Sequence, residues 1–374
     1  MAAVRLAALR EVKKAERRVA LVPEVAARLI RNGFEVIVEA GAGTSAFFPD
    51  QAYADAGAHV RGRAEAIAQA DILATVNPPD SELIAALRPG QVIVGLLGSR
   101  TDRATLEALA AAGVTGLDFA YLPRTLSRSQ TMDVLSSQAS VAGYRAAIVA
   151  AETFSRYMPM MITAAGTAKP AKLIVLGTGV AGLQAIGTAK RLGAVVTGYD
   201  VRPASRGEVE SLGAAFLAPS GLEDGAGEGG YARELTPEEK AAQQAELAGH
   251  LVAHDIVITT AQVPGRKPPV LVTAETVARM KPGSVIVDLG TSALGGNVEG
   301  SVPGEQVVTK NGVTIVDGSN LAAEMPAGAS AAYARNVQSL LGALVIDGAL
   351  AVDFADEVLD AVTVTYDGAV RKGA

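Results

Sequence analysis

Residues 173–185 read Leu173-Ile-Val-Leu-Gly-Thr-Gly-Val-Ala-Gly-Leu-Gln-Ala185, and residues 195–202 read Val195-Val-Thr-Gly-Tyr-Asp-Val-Arg202. Four apolar residues in a row suit a strand buried on both faces of a parallel sheet. That run enters Gly177, Gly179 and Gly182, where a helix is expected to begin. Each glycine has a physical reason. Gly177 allows a tight turn, Gly179 lets backbone approach a pyrophosphate, and Gly182 lets helix and strand pack closely. The helix N-terminus adds free N–H groups and the positive end of its dipole. A second strand ends in Asp200, roughly 20 residues on, where a carboxylate accepts from ribose hydroxyls and repels a 2′-phosphate. The expected dinucleotide contacts are Gly177, Thr178, Gly179, Val180, Ala181 and Gly182 in the turn, and Asp200, Val201 and Arg202 at the strand end. Arg202 keeps NADP open, since an Arg beside the acid can accept a 2′-phosphate; Asp200 favours NAD. The bland alternative is a glycine-rich turn with no ligand.

Composition bounds the rest. The chain has 374 residues, 49% hydrophobic and 19% charged, so two cored domains are expected and disorder is not. A net charge of −6 argues against a nucleic-acid surface. With no cysteine, thiolate metal sites, disulfides and Cys nucleophiles are excluded. The N-terminus lacks a signal-peptide pattern, and the apolar stretch Val141 to Thr163 is broken by Arg145, Glu152 and Arg156. By itself the chain is expected to be soluble and cytoplasmic, with no direct membrane insertion.

Outward from the glycine turn, strands and helices alternate on both sides. Residues 34–39, 71–76, 91–97 and 114–119 read as strands separated by helices over 23–31, 64–70, 81–87 and 103–112. Residues 173–176, 195–199, 255–260, 284–288 and 313–317 form a second set. Helices over 135–158 and 327–346 flank it, and 362–370 reads as a hairpin around Asp367-Gly368. The expected fold is α/β, with two Rossmann-like or flavodoxin-like parallel-sheet domains joined by two long helices. An N-terminal α/β domain takes residues 1–134 plus 325–374, and a nucleotide-binding domain takes 135–324. A cleft between them is the default site.

Residues 220–234 break the alternation. They are Gly-rich and acidic, with one aromatic, Tyr231, beside Gly229 and Gly230. Such a loop is a lid over a ligand or a tolerated surface insertion. Catalytic machinery is conspicuous by its lack. Dehydrogenases acting on hydroxy or amino acids need a proton acceptor, usually His or Lys. His59, His250 and His254 are the three histidines. None follows the expected end of a cleft-facing strand. His250 and His254, four apart near a helix end, suit contact with the last carbonyls better than a metal. Hydride transfer between two nicotinamides fits a nicotinamide site without an acid/base, because carbon-to-carbon transfer leaves no alcohol or amine proton to manage.

Residues 123–138, Pro-Arg-Thr-Leu-Ser-Arg-Ser-Gln-Thr-Met-Asp-Val-Leu-Ser-Ser-Gln, followed by Val141-Ala-Gly-Tyr-Arg-Ala, resemble the NAD(H)-binding component of proton-translocating nicotinamide nucleotide transhydrogenase. Arg17-Arg-Val-Ala-Leu-Val-Pro, Gly41-Ala-Gly, residues 159–167, Gly229-Gly-Tyr-Ala and residues 280–289 extend the likeness over essentially the full length. The resemblance implies an enzyme subunit that holds NAD(H) and exchanges a hydride with NADP(H) bound by a partner subunit. Exchange is coupled to proton movement through membrane-spanning subunits, and a homodimer is implied. Peripheral attachment to the inner membrane through those partners follows. An Arg-Gln-Asp loop lies at the nicotinamide in the family. The matching residues are Gln130 and Asp133, with Ser136 one turn on. Gln130 would reach toward the partner's nucleotide, and Asp133 and Ser136 would bind the carboxamide. The Arg is Arg124 or Arg128, because the chain is one residue longer here than the family pattern. Gly230 and Tyr231 become lid residues. The alternative from the residues alone is a solvated helix N-terminus with local salt bridges.

Alanine dehydrogenases share the Arg-Val-Ala-Leu pattern but carry a Lys and a His where this chain has Thr75-Val-Asn-Pro and Gly95-Leu-Leu-Gly-Ser. An NAD-sensing module is a third possibility. The chain stops at Ala374 without membrane helices, so a membrane part is expected on a separate chain.

Overall fold

The computed structural model describes residues 3–219, 236–262, 266–346 and 348–373. Six parallel strands open the chain: β1 (Arg5–Ala8), β2 (Glu35–Glu39), β3 (His59–Arg61), β4 (Ile72–Ala74), β5 (Val92–Gly95) and β6 (Thr115–Asp118). Crossovers α1 (Pro23–Arg31), α2 (Asp50–Asp55), α3 (Arg63–Gln69), α4 (Ser81–Ala86) and α5 (Arg103–Ala111) join them. Helix α6 (Val134–Thr153) leads to a ribbon, β7 (Met161–Thr163) and β8 (Gly166–Ala168). The second set of strands is β9 (Lys172–Leu176), β10 (Val195–Tyr199), β11 (Ala215–Leu217), β12 (Ile256–Thr259), β13 (Val285–Asp288), β14 (Gln306–Val308) and β15 (Thr314–Asp317). Its helices are α7 (Val180–Arg191), α8 (Arg206–Ser211), α9 (Pro237–Ala253) and α10 (Ala274–Arg279). The chain closes with α11 (Pro326–Leu344), ribbon β16 (Val345–Ile346) and β17 (Ala349–Leu350), α12 (Glu357–Val362), β18 (Thr363–Tyr366) and β19 (Ala369–Val370).

Two compact units result, one of Met1–Gln138 with Ala323–Ala374, the other of Ala139–Ala322. The first holds an eight-stranded sheet in the order β19-β18-β6-β5-β4-β1-β2-β3. Strands β1 to β6 pair in parallel; β18 adds antiparallel to β6 and to β19. The β18–β19 turn carries positive φ at Asp367 (48°) and Gly368 (73°). Two consecutive left-handed residues match the twist of a two-residue hairpin, which is why Asp-Gly was readable as one.

The second unit holds seven strands in the order β11-β10-β9-β12-β13-β15-β14, parallel except for β14. Side chains of β9 point alternately into two cores: Leu173 and Val175 into one, Ile174 and Leu176 into the other, all fully buried. The uninterrupted apolar run is thus a strand covered on both faces. After β9 the chain fills one side with β10 and β11, then crosses to β12 on the other. The carboxyl ends of β9 and β12 therefore form the topological switch point, where open α/β sheets take their ligands.

Three expectations needed correction. Helix α6 ends at Thr153, not near Met158. Phe154 and Met158 both turn into the core and Arg156 reaches Asp255 at 2.8 Å, so tertiary contacts overrode a helical period with no local breaker. The short strands β11 and β14 and the β7–β8 ribbon had no legible apolar run. Residues 220–234, with Gly230 and Tyr231, lie outside the described residues.

Candidate functional site

The turn after β9 is built as its glycines require. Gly177 has φ +92°, a left-handed conformation costly for any residue with a Cβ. A Cβ on Gly182 would lie 1.9 Å from the Gly177 carbonyl oxygen, so α7 rests directly on the turn. A Cβ on Gly179 would meet nothing within 4 Å. No packing within the described residues demands glycine there, and open approach is what remains to explain it. Gly179 is the N-cap of α7 and offers no side-chain cap. The first-turn N–H groups at Val180, Ala181 and Gly182 have no intrahelical acceptor by geometry. Val180 is exposed and Ala181 and Val201 are half-buried.

Asp200 follows β10 and is buried. Its Oδ2 accepts from Thr178 N–H at 2.8 Å, Thr178 Oγ1 at 3.0 Å and Arg202 Nη2 at 2.9 Å. Its Oδ1 accepts from Arg202 N–H at 2.9 Å and Nε at 3.0 Å. Burial alone would raise the Asp200 pKa, but the Arg202 and Thr178 hydrogen bonds outweigh it and hold the carboxyl below its ordinary 3.8. Arg202 is committed to Asp200 and does not offer its guanidinium to a 2′-phosphate. A ribose could reach the carboxylate once that half-exposed side chain swings out, with the Thr178 bonds intact.

The segment preceding α6 gathers Arg124, Asp133 and Ser136. Asp133 caps the helix by accepting from Ser136 N–H at 2.9 Å, and it accepts from Ser136 Oγ at 2.7 Å and Arg124 Nε at 2.8 Å. Arg124 Nη2 also donates to Ser136 Oγ at 2.7 Å. Burial pushes the Asp133 carboxyl up, and these bonds bring it below the usual range. Arg128 goes elsewhere: both of its terminal nitrogens lie 2.7 Å from the two oxygens of Asp356, the cap of α12. Of the two candidate arginines, the geometry joins Arg124 to Asp133 and Ser136. Gln130 is exposed, and its amide has no partner among the described residues.

Two depressed carboxyls have a consequence for pH. Their contribution to stability is complete above about pH 4 and is lost as pH falls through the lowered folded values. Asp133→Asn and Asp200→Asn should each flatten the acid limb of a stability–pH curve. Unchanged limbs, followed by chemical denaturation, would assign the acid sensitivity to other groups.

A cavity of about 270 Å3 opens at the amino ends of β9 and β12, lined by Arg156, Lys169, Lys172, Asp255 and Lys281. It is at the wrong end of the sheet for the glycine turn, and the switch point outweighs cavity size in placing the site. His254 Nδ1 lies 2.7 Å from the His250 carbonyl, so the pair makes the helix-end contact its spacing suggested.

Comparison with known proteins agrees with this construction. The family described as "Alanine dehydrogenase/PNT, N-terminal domain" matches residues 7–142, and "Alanine dehydrogenase/PNT, C-terminal domain" matches residues 146–373. The chain belongs to the alanine dehydrogenase/PNT family. The first portion of an NAD(P) transhydrogenase subunit alpha from Rickettsia prowazekii, a separate polypeptide, is 44% identical over 373 residues, covering 98% of this chain and 96% of that one. The crystal structure of "transhydrogenase from Sinorhizobium meliloti" superimposes with TM-score 0.89 at 44% identity, covering 98% of this chain and all of that one. An "Alanine dehydrogenase" from Mycobacterium tuberculosis is 32% identical over 78% of this chain and 74% of that one. Within the family the chain is of the transhydrogenase alpha-subunit kind.

The positions that separate the two branches are tied up in this family member's own structure. Asn77 Nδ2 donates to Glu11 at 2.9 Å and Glu16 at 3.0 Å, while the Ser99 hydroxyl donates to Asp118. Arg18 makes a two-point pair with Glu16, at 2.8 and 2.7 Å. The switch point of the first sheet, between β1 and β4, is thus occupied by the protein's own side chains. No motif marks Thr260, at the end of β12, whose hydroxyl lies 2.9 Å from the Gly177 carbonyl; sequence reading missed it.

Proposed function

We propose that this chain is the NAD(H)-binding subunit of a proton-translocating transhydrogenase. Its partners in that reading are a second copy of itself, an NADP(H)-binding subunit and membrane-spanning subunits, through which it sits on the cytoplasmic face of the inner membrane. Gly179 carries the nucleotide assignment: among the described residues nothing crowds it, yet it opens the helix whose free N–H groups suit a pyrophosphate. Gly177 to Gly182 would hold the phosphates and Asp200 the adenosine ribose. Arg124, Asp133 and Ser136 form a polar set able to offer donors and acceptors to a carboxamide. Arg128, paired with Asp356, would support the turn rather than touch nucleotide. Gly230 and Tyr231 remain proposed lid residues.

Bound there, NADH supplies a hydride from its nicotinamide to NADP+ on the partner, giving NAD+ and NADPH. The chain's task is positioning, with no proton to take from an alcohol or amine. Supporting this over amino-acid oxidation, Asn77 and Ser99 are neither acids nor bases and are bonded internally. No helix among the described residues is long and apolar enough to cross a membrane, in keeping with a membrane portion on other subunits.

The test mixes the purified chain with an NADP-binding transhydrogenase subunit and follows exchange between NADH and an NADP analogue. Exchange should require both proteins, NADH should bind more tightly than NADPH, and alanine should not be oxidised with NAD by the chain alone. Alanine oxidation by clean protein, with no exchange on adding the partner, would overturn the reading.

A further inference from the structure

We propose that Thr260 is a positioning residue that clamps the peptide between Gly177 and Thr178, fixing the turn that faces the pyrophosphate. The inference rests on the nucleotide reading above. Strands β9 and β12 are neighbours, and the Thr260 N–H bonds the Leu176 carbonyl at 2.9 Å, carrying the ladder one residue past β12. The Thr260 hydroxyl then lies 2.9 Å from the Gly177 oxygen and 3.3 Å from the Leu176 oxygen. One proton serves one acceptor well, and the Gly177 carbonyl is the closer.

The Gly177 carbonyl and the Thr178 N–H belong to the same planar peptide unit. Thr260 holds the oxygen end. Asp200 holds the other, accepting from Thr178 N–H at 2.8 Å. Gly177 is the residue at which this unit could most easily flip, since it lacks a Cβ and already has φ +92°. Flipping would break both bonds at once and re-aim the N–H groups that follow. The contact also explains the glycine from the other side: a Cβ on Gly177 would lie 2.6 Å from the Thr260 hydroxyl.

Thr260 stands on a fixed base. The next residue, Ala261, is gripped by fully buried Asn297, which accepts from its N–H at 3.1 Å and donates to its carbonyl at 2.9 Å. Asn297 Nδ2 also donates to the Pro269 carbonyl at 2.8 Å. A Cβ on Gly290 would come within 2.4 Å of the Asn297 oxygen, so the strand-end loops close around this amide. The hydroxyl is therefore presented by backbone that has little freedom to follow a moving turn.

The test compares Thr260→Val, which keeps the shape and removes the hydroxyl, with Thr260→Ser, which keeps the hydroxyl. Affinities for NADH and ADP are measured by fluorescence and calorimetry, adenosine binding by saturation-transfer NMR, and Tm by thermal melting. Thr260→Val should weaken NADH and ADP about tenfold, the scale of one lost hydrogen bond. Adenosine, which has no phosphate, should bind as before, and Thr260→Ser should stay within about twofold of the unmodified chain. Unchanged NADH binding by Thr260→Val overturns the clamp. So does an equal loss for adenosine accompanied by a lowered Tm, which would mark a general structural role. Failure of the unmodified chain to bind NADH would overturn the nucleotide reading itself, and the clamp with it.

Discussion

Gly182→Ala should abolish NADH binding and lower the melting temperature of the nucleotide-binding unit. A single methyl group is enough, because the Cβ would sit 1.9 Å from the Gly177 oxygen and 2.9 Å from its carbonyl carbon. Both atoms are backbone, so no side chain can swing aside. Either α7 withdraws from β9 or the turn distorts. Helix α7 cannot withdraw freely, since a Cβ on Gly143 of α6 would likewise lie 2.0 Å from the Ala181 oxygen on its other side. Overpacking of this kind costs about 3 kcal/mol, roughly 6–12 °C in a domain of this size. The loss of affinity should exceed the loss of stability, because the distorted atoms are those proposed to meet the phosphates. Thermal melting with and without NADH separates the two. A variant with unchanged Tm and unchanged NADH affinity would show that the turn has room the geometry denies.

The fold was legible where physics repeats. Buried parallel strands need unbroken apolar runs, and β9, β10, β12, β13 and β15 have them. The positive-φ hairpin at Asp367-Gly368 needs a residue pair that few sequences supply by chance. Strands β11 and β14 were not legible because they are short and lie at sheet edges, where exposed faces carry no distinctive pattern. Within the site, residue types were readable but pairings were not. Arg124 and Arg128 lie four apart in one polar segment, and only the fold sends one to Asp133 and the other to Asp356. Arg202 looked able to accept a phosphate, yet three of its N–H groups end on Asp200. Thr260 was invisible for a different reason. Its partner Gly177 is 83 residues away, and what brings them together is the crossover from β11 to β12.

Gln130→Ala should slow hydride exchange by about 100-fold while leaving NADH affinity within about twofold. Rates fall on that scale when reacting groups are misplaced by about an ångström. Gln130 lies in the 3-10 turn Ser127–Met132, whose backbone is held firmly. Ser129 and Met132 are buried, and Asn336 Nδ2 donates to the Thr131 carbonyl at 2.8 Å. The exposed amide of Gln130, unpartnered among the described residues, is thus a free polar group on a fixed support. Truncating it removes no internal bond, so stability should change by no more than about 0.5 kcal/mol. In the proposed assembly its contact forms only when the second nucleotide docks, so its removal cannot be felt by NADH alone. Asp133→Asn offers the contrast: it disturbs the Arg124 and Ser136 bonds, and NADH affinity and exchange should fall together. Stopped-flow exchange with the partner subunit, alongside NADH titration of the isolated chain, measures both quantities. A large loss of NADH affinity in Gln130→Ala, with turnover intact at saturating NADH, would place this amide on the chain's own nucleotide. The surface facing the second nucleotide would then have to lie elsewhere.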